Sequence, residues 1–222
     1  MKRLIVFAAT LFVFTFLFGA DYASAQRKLI DRGTYSERTW SARSAVYDKK
    51  RTVEIVHEGY KDGSIDSTVT SLYQYLSDDH YRSLRTSVKS DGKKIESEEI
   101  RIGEFLYTRE SPGGWSVREL SKQGYGTGTG TGSGGAMRLP AVQYSVEPVF
   151  LGSWPAELFE EIKITDDDNA IQFTETRYWI GSDGSLLQEE VIEGSLFPRV
   201  VKKRTVRTYE YNSNFKIERP IP

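Results

Sequence analysis

The sequence predicts a mainly β protein: a single curved antiparallel sheet, an incomplete β-barrel laid out as a meander, with one or two short covering helices. Three observations predict it. Beyond residue 25 the chain alternates polar and apolar residues in short runs rich in Val, Ile, Thr, Tyr and Phe, which suit a pleated surface. Asp-Gly recurs at Asp62-Gly63, Asp91-Gly92 and Asp183-Gly184, the dipeptide that supplies the positive φ angles of a tight hairpin. Long helical periodicity is nearly absent.

The chain opens differently. Met1-Lys2-Arg3 is a basic head, residues 4–18 are an apolar run, and Ala23-Ser24-Ala25 is a small-x-small cleavage site. This is the layout of a secretory signal peptide, and fifteen apolar residues are short of the roughly 20 a membrane span needs. Cleavage is expected between Ala25 and Gln26, which makes the mature protein periplasmic or secreted. No cysteine occurs, so neither disulfides nor a lipid-anchoring cysteine is available. The mature 197 residues (222 minus 25) suffice for one domain, 26–222, with its own core. Their 28 basic and 30 acidic residues give a formal charge of −2, which excludes a nucleic-acid partner. A monomer, soluble without a membrane span, is expected.

Strands follow in order. In the first half they are expected at 52–60, 66–76, 81–89, 94–102 and 105–110, separated by Asp62-Gly63, Asp91-Gly92 and Gly103-Glu104. Residues 124–135, GYGTGTGTGSGG, hold seven glycines in twelve positions; without a following Lys or a helical pattern this is a flexible linker loop, not a phosphate cradle. Such a loop is expected to be replaceable by a short Gly-Ser link at about 1 kcal/mol or less. Ser153 is a candidate N-cap for a short covering helix over 153–159, and strands resume at 171–180, 186–193 and 199–212.

Hairpin registers follow from the turns. A two-residue turn at Asp91-Gly92 sets Val88 against Ile95 and Arg85 against Glu98. One at Gly103-Glu104 sets Ile102 against Phe105, Ile100 against Tyr107 and Glu98 against Arg109. Centring the last hairpin on Leu196 sets Val191 against Val201 and Glu189 against Lys203. Like apolar residues and opposite charges meet, as cross-strand pairing favours. Alternation then places Tyr81, Ile100, Ile102, Phe105 and Tyr107 on one face, and Tyr178, Ile180 and Leu187 on one face. A sheet with one apolar face covers it with a helix, a second sheet, its own curvature or a ligand. These eight residues are the candidate ligand-binding surface.

Catalytic chemistry is missing. Only His57 and His80 are present, and no Gly-x-Ser-x-Gly elbow accompanies them. A histidine or cysteine zinc site is excluded, and Asp166-Asp167-Asp168-Asn169 lacks the spacing of a calcium loop. Glu98-Glu99 and Glu189-Glu190 are expected to meet cross-strand bases in solvated ladders rather than converge in a glycosidase cleft. No catalytic residue, metal or cofactor is expected.

Two segments carry a family likeness. Tyr178-Trp179-Ile180-Gly181-Ser182-Asp183-Gly184, followed by Thr208-Tyr209-Glu210-Tyr211-Asn212 and Ile217-Glu218-Arg219-Pro220, resembles the closing hairpins of the LolA-like lipoprotein-carrier superfamily. Ile100-Arg101-Ile102-Gly103-Glu104-Phe105-Leu106-Tyr107, followed by Trp115, resembles its central hairpin. The resemblance implies a half-barrel whose apolar face, covered by helices, holds acyl chains, in a protein associated with the outer membrane. The expected function is an exported, non-enzymatic carrier or binding protein for a hydrophobic ligand, a lipid or lipoprotein acyl chain. The alternative is a periplasmic interaction or sensor module that uses the same half-barrel to bind an envelope protein or peptide; its features would be a filled interior and an exposed apolar or edge-strand patch.

Overall fold

The computed structural model describes residues 27–47, 50–120, 140–167, 170–211 and 214–220. The leader 1–25 and the glycine-rich stretch 124–135 lie outside the described residues, as do Asp168 and Asn169. The strands are β1 Lys28–Leu29, β2 Arg51–Lys61, β3 Ser64–Ser77, β4 His80–Lys89, β5 Lys94–Ile102, β6 Phe105–Glu110, β7 Ser116–Glu119, β8 Ala141–Leu151, β9 Trp154–Asp167, β10 Ala170–Gly181, β11 Leu186–Ser195 and β12 Val200–Tyr211. They form one antiparallel sheet in the order β1-β8-β9-β10-β11-β12-β2-β3-β4-β5-β6-β7, not closed into a barrel. The expected mainly β fold, a single open antiparallel sheet, is therefore present. Two pairings break the meander: the short β1 is bonded to β8, and β12, the last strand, is bonded to β2, with Val206 opposite Val56 and Tyr209 opposite Val53.

Among the described residues a single helix, α1 (Arg32–Tyr47), precedes the first long strand. Asp31 caps it, accepting from the Thr34 backbone N–H at 3.0 Å and the Thr34 hydroxyl at 2.7 Å. Its buried stripe is Tyr35, Thr39, Ala42 and Val46, at spacings of four, three and four. Only three of those four are apolar, which is why the periodicity is faint. The expected helix over 153–159 is instead the start of β9. That segment is hydrogen-bonded on both sides, Phe159 to Val146 of β8 and to Tyr178 of β10, and two ladders outweigh one capped turn.

α1 defines an inner face. Beneath it Tyr35, Ala42 and Val46 pack with Phe159, Tyr178, Ile180 and Leu186, and Tyr144, Val146, Tyr209 and Tyr211 complete the cluster. Ile180 and Leu186 are each only 1% exposed. The Tyr35 ring lies 4.7 Å from that of Tyr144. This is a closed core.

The outer face of the same strands is ionic. Arg177 reaches Glu160 at 2.9 Å, Glu190 at 3.0 Å and Glu175 at 3.2 Å; Arg204 reaches Glu190 at 2.7 Å and Glu58 at 3.5 Å. Arg27 pairs with Glu160, and Arg199 with Glu175 at 2.5 Å. The expected solvated ladder is thus a buried one: Glu160, Glu175 and Glu190 are shielded by the arginine stems that neutralise them.

Two registers differ from expectation. The Gly103 hairpin pairs as predicted, with Ile102 opposite Phe105 and Arg109 bonded to Glu98 at 2.6 Å. The Asp91-Gly92 connection is longer than two residues: the Lys89 N–H bonds the Lys93 carbonyl, and the Asp91 carboxylate accepts from the Lys93 N–H at 2.9 Å. Val88 therefore faces Lys94, one residue from the predicted partner. The last hairpin closes through residues 196–199, so Val191 faces Thr205 rather than Val201, a slip of four. Opposite charges still meet there, as Glu193 with Lys203 and Glu189 with Arg207.

Candidate functional site: an inner trough beside the helix

α1 covers the inner face over β8–β11 and stops there. Beyond its edge the inner face of β12, β2 and β3 forms the floor of a trough of about 310 Å³, with Val46 and Arg43 of α1 as one wall. Strand alternation sends Val53 and Ile55 of β2, Tyr73 and Tyr75 of β3, and Arg207 and Tyr209 of β12 to this side. A second hollow of about 580 Å³ continues from Tyr73 across Ser83, Glu99 and Thr108 to Ser116. Tyr73 belongs to both, so one continuous surface runs from the helix to β7.

The trough is aromatic and cationic rather than purely apolar. Tyr73 and Tyr75 stack with centroids 5.8 Å apart, and Tyr81 follows 5.9 Å from Tyr75. The Arg51 guanidinium lies 4.3 Å from the Tyr75 ring, and that of Arg43 lies 5.8 Å from the Tyr178 ring. Glu189, buried, accepts from Arg207 at 3.0 Å and from the Tyr209 hydroxyl at 3.4 Å. Tyr81 donates to Glu99 at 2.7 Å. Burial first, then the Glu189 charge, holds the Tyr209 phenol well above its ordinary range; burial and the Glu99 bond do the same for Tyr81. His57, deeper on β2, shares a 2.9 Å bond with the Thr205 hydroxyl; burial, then Arg207, Lys203 and Arg85, lower its pKa and keep it neutral at pH 7. Its neighbours form no proton relay. Among the described residues no cluster of three or more His, Asp or Glu side chains is placed to hold a metal.

The eight sequence-predicted residues separate onto two faces. The one-residue slip at Asp91-Gly92 sets Tyr81 opposite Arg101, on the inner face and in line with Tyr75. Tyr178 and Ile180 are also inner, but under α1. A β-bulge between Trp179 and Ile180 brings Leu186, not Leu187, opposite Ile180, so Leu187 is displaced out of the inner row. Ile100, Ile102, Phe105 and Tyr107 do share a face, and it is the outer one. There the C-terminal segment 214–220 lies over them: the Ile217 carbonyl is 3.3 Å from His80 Nε2, Arg219 lies 5.7 Å from the Phe105 ring, and Ile217 and Ile100 are buried. Tyr81 alone stands beside the trough, its ring 5.9 Å from that of Tyr75. Val53, Ile55, Tyr73, Tyr75 and Tyr209 were the residues missed. Their odd-number alternation was visible, whereas the pairing of β12 with β2 was not.

No family model matches the chain, and no curated protein does. Among solved structures, the crystal structure of LprF from Mycobacterium bovis is similar to it, with a TM-score of 0.46 and 9% sequence identity over 86% of this chain and 98% of that one.

Proposed function

We propose that this chain is an exported, non-enzymatic binding protein that carries a lipid, or the acyl chain of a lipoprotein, in the inner trough. The observation that carries the reading is the half-covered inner face: α1 closes over β8–β11 and leaves Ile55, Tyr73 and Tyr75 half-buried beside it, next to the buried Val53. An acyl chain lies along these side chains, and the polar head meets Arg43 and Arg207 at the helix edge. The basic, apolar and small-residue zones of residues 1–25 support export to the periplasm or beyond. The likeness of 178–184 and 208–220 to lipoprotein-carrier hairpins supports the ligand class. No helix among the described residues is long and apolar enough to cross a membrane.

Displacement of a fluorescent fatty-acyl probe tests the reading. Wild type is expected to bind it, and Ile55→Glu, which sets a carboxylate on the apolar floor opposite Arg207 and so competes for the cation that meets the polar head, to weaken binding about tenfold or more with an unchanged circular dichroism spectrum. Equal binding by wild type and variant, or none by wild type, refutes it.

One observation favours a second reading, a module that binds an envelope protein. The core under α1 is filled, and β7 is a short exposed edge with Val117 61% exposed. Native mass spectrometry of protein purified from its host separates the two: co-purifying lipid supports the carrier, a protein complex without lipid the module.

A further inference from the structure

The connection between β8 and β9 differs from the others at its end of the sheet. Antiparallel order places four tips there, at 151–154, 181–186, 77–80 and 102–105. Three of them carry acids: Asp183, Asp78 with Asp79, and Glu104. Residues 149–156, in a chain that is 27% charged, carry no ionisable side chain at all. They present Phe150 and Trp154, 50% and 70% exposed, on either side of Leu151 and a tight turn in which Gly152 has φ +62°. A recess of about 950 Å³ opens beside this tip, walled by Leu151, Trp154, Pro155 and Leu187. It exists because the β11–β12 ladder stops at Gln188–Thr208 and the bulge pushes Leu187 outward. Asp183 and Glu210 also line it, and no basic residue does.

We propose that this tip docks the protein on the surface of a zwitterionic lipid bilayer. Trp, Phe and Leu on a turn without charge match the interfacial layer, where an indole ring finds apolar and polar surroundings together. Asp183 on the adjacent β10–β11 tip and Glu210 in the recess set the lipid type. They complement the outward ammonium groups of phosphatidylethanolamine and are repelled by anionic headgroups. The binding is hydrophobic, so salt leaves it intact, unlike a basic patch on an acidic membrane. It is independent of what the inner trough holds.

The absence of cysteine allows a site-specific test in the full chain. An environment-sensitive dye on Ser153→Cys is expected to shift to the blue with phosphatidylethanolamine–phosphatidylcholine vesicles, in low and high salt alike, and less as phosphatidylglycerol is added. The same dye on Asp91→Cys, at the opposite end, is expected not to shift, which separates tip docking from attachment through the N-terminal apolar run. Adding Trp154→Ser and Phe150→Ser is expected to weaken the Ser153 response about tenfold or more. Trp154→Tyr, which keeps an interfacial aromatic, retains most of it and controls for folding. The proposal is overturned by no shift at Ser153, by equal shifts at both positions, by dependence on anionic lipid or low salt, or by a shift that follows protein concentration without vesicles, which would assign the tip to a second copy of the chain.

Discussion

Glu190 receives two guanidinium groups, Arg177 at 3.0 Å and Arg204 at 2.7 Å, while itself 5% exposed. Its removal leaves two half-buried cations short of a partner, so Glu190→Ala is expected to cost about 1–3 kcal/mol in urea unfolding. Arg177→Leu is expected to cost more, because it also takes a partner from the buried Glu160 and Glu175. Gly194 is fixed by space rather than by φ. A Cβ there would stand against the Val200 carbonyl oxygen and 2.8 Å from the Phe173 ring, so Gly194→Ala should destabilise by at least about 1–3 kcal/mol. The buried phenols give a pH signature. Burial raises Tyr35, Tyr81 and Tyr209 far above the ordinary 10.0, and Tyr211 to about 12. Their folded-state pKa values are raised, so their contribution to stability is whole below pH 10 and is lost as pH climbs past it, when the unfolded chain ionises first. The share of tyrosinate absorbance owed to these four phenols should appear only as the circular dichroism collapses. At this scale the sequence was legible wherever a turn kept its expected length. Ile102 and Phe105 paired as read, while one extra residue at Asp91-Gly92 turned Tyr81 to the other face. The bulge that displaced Leu187 leaves no mark in local composition.

Two elements that cover the sheet were the hardest to read. α1 has a polar stripe-mate, Thr39, among its buried positions, and Ser, Thr, Gly, Arg and Glu on much of its remainder, so its helical period is faint beside the strong alternation of the strands. The C-terminal segment 214–220 has no regular structure, and its role rests on Ile217 alone among its buried side chains. Ile217→Ala is expected to lower stability by about 2 kcal/mol, the low end for a large-to-small change, and to leave acyl-probe binding at the trough unchanged, since the segment lies on the other face. Ile180→Trp reports on the cover itself. Under a packed helix the indole has no room, and a loss of typically about 1–3 kcal/mol in thermal unfolding is expected; a neutral substitution would mean that α1 lifts from the sheet.

At the scale of the molecule, eight of the twelve strands lie close to where alternation and turn dipeptides put them, and their order does not. Neighbouring strands in sequence are neighbours in space except where the short β1 pairs with β8 and at one long seam, β12 with β2, which joins residues nearly 150 positions apart, such as Thr205 and His57. Nothing in either strand announces that match, so the trough built across it was invisible in the sequence. The same seam sends β7 and β8, consecutive in the chain, to opposite sides of the sheet, ten strand-to-strand steps apart. Along the sheet that is about 48 Å at about 4.8 Å per step. The twenty peptide links from Leu120 to Pro140 can stretch to about 68 Å, and only to about 27 Å if 124–135 are excised. That stretch is therefore a tape measure. Its length is expected to matter more than its composition, because loop entropy alone leaves the distance between the two strands out of account. Thermal unfolding of a series shortened two residues at a time should show a shallow logarithmic decline and then a break, at the length where the tape pulls taut across the open side of the sheet. A series with no break down to eight links would place the two margins within about 27 Å of each other.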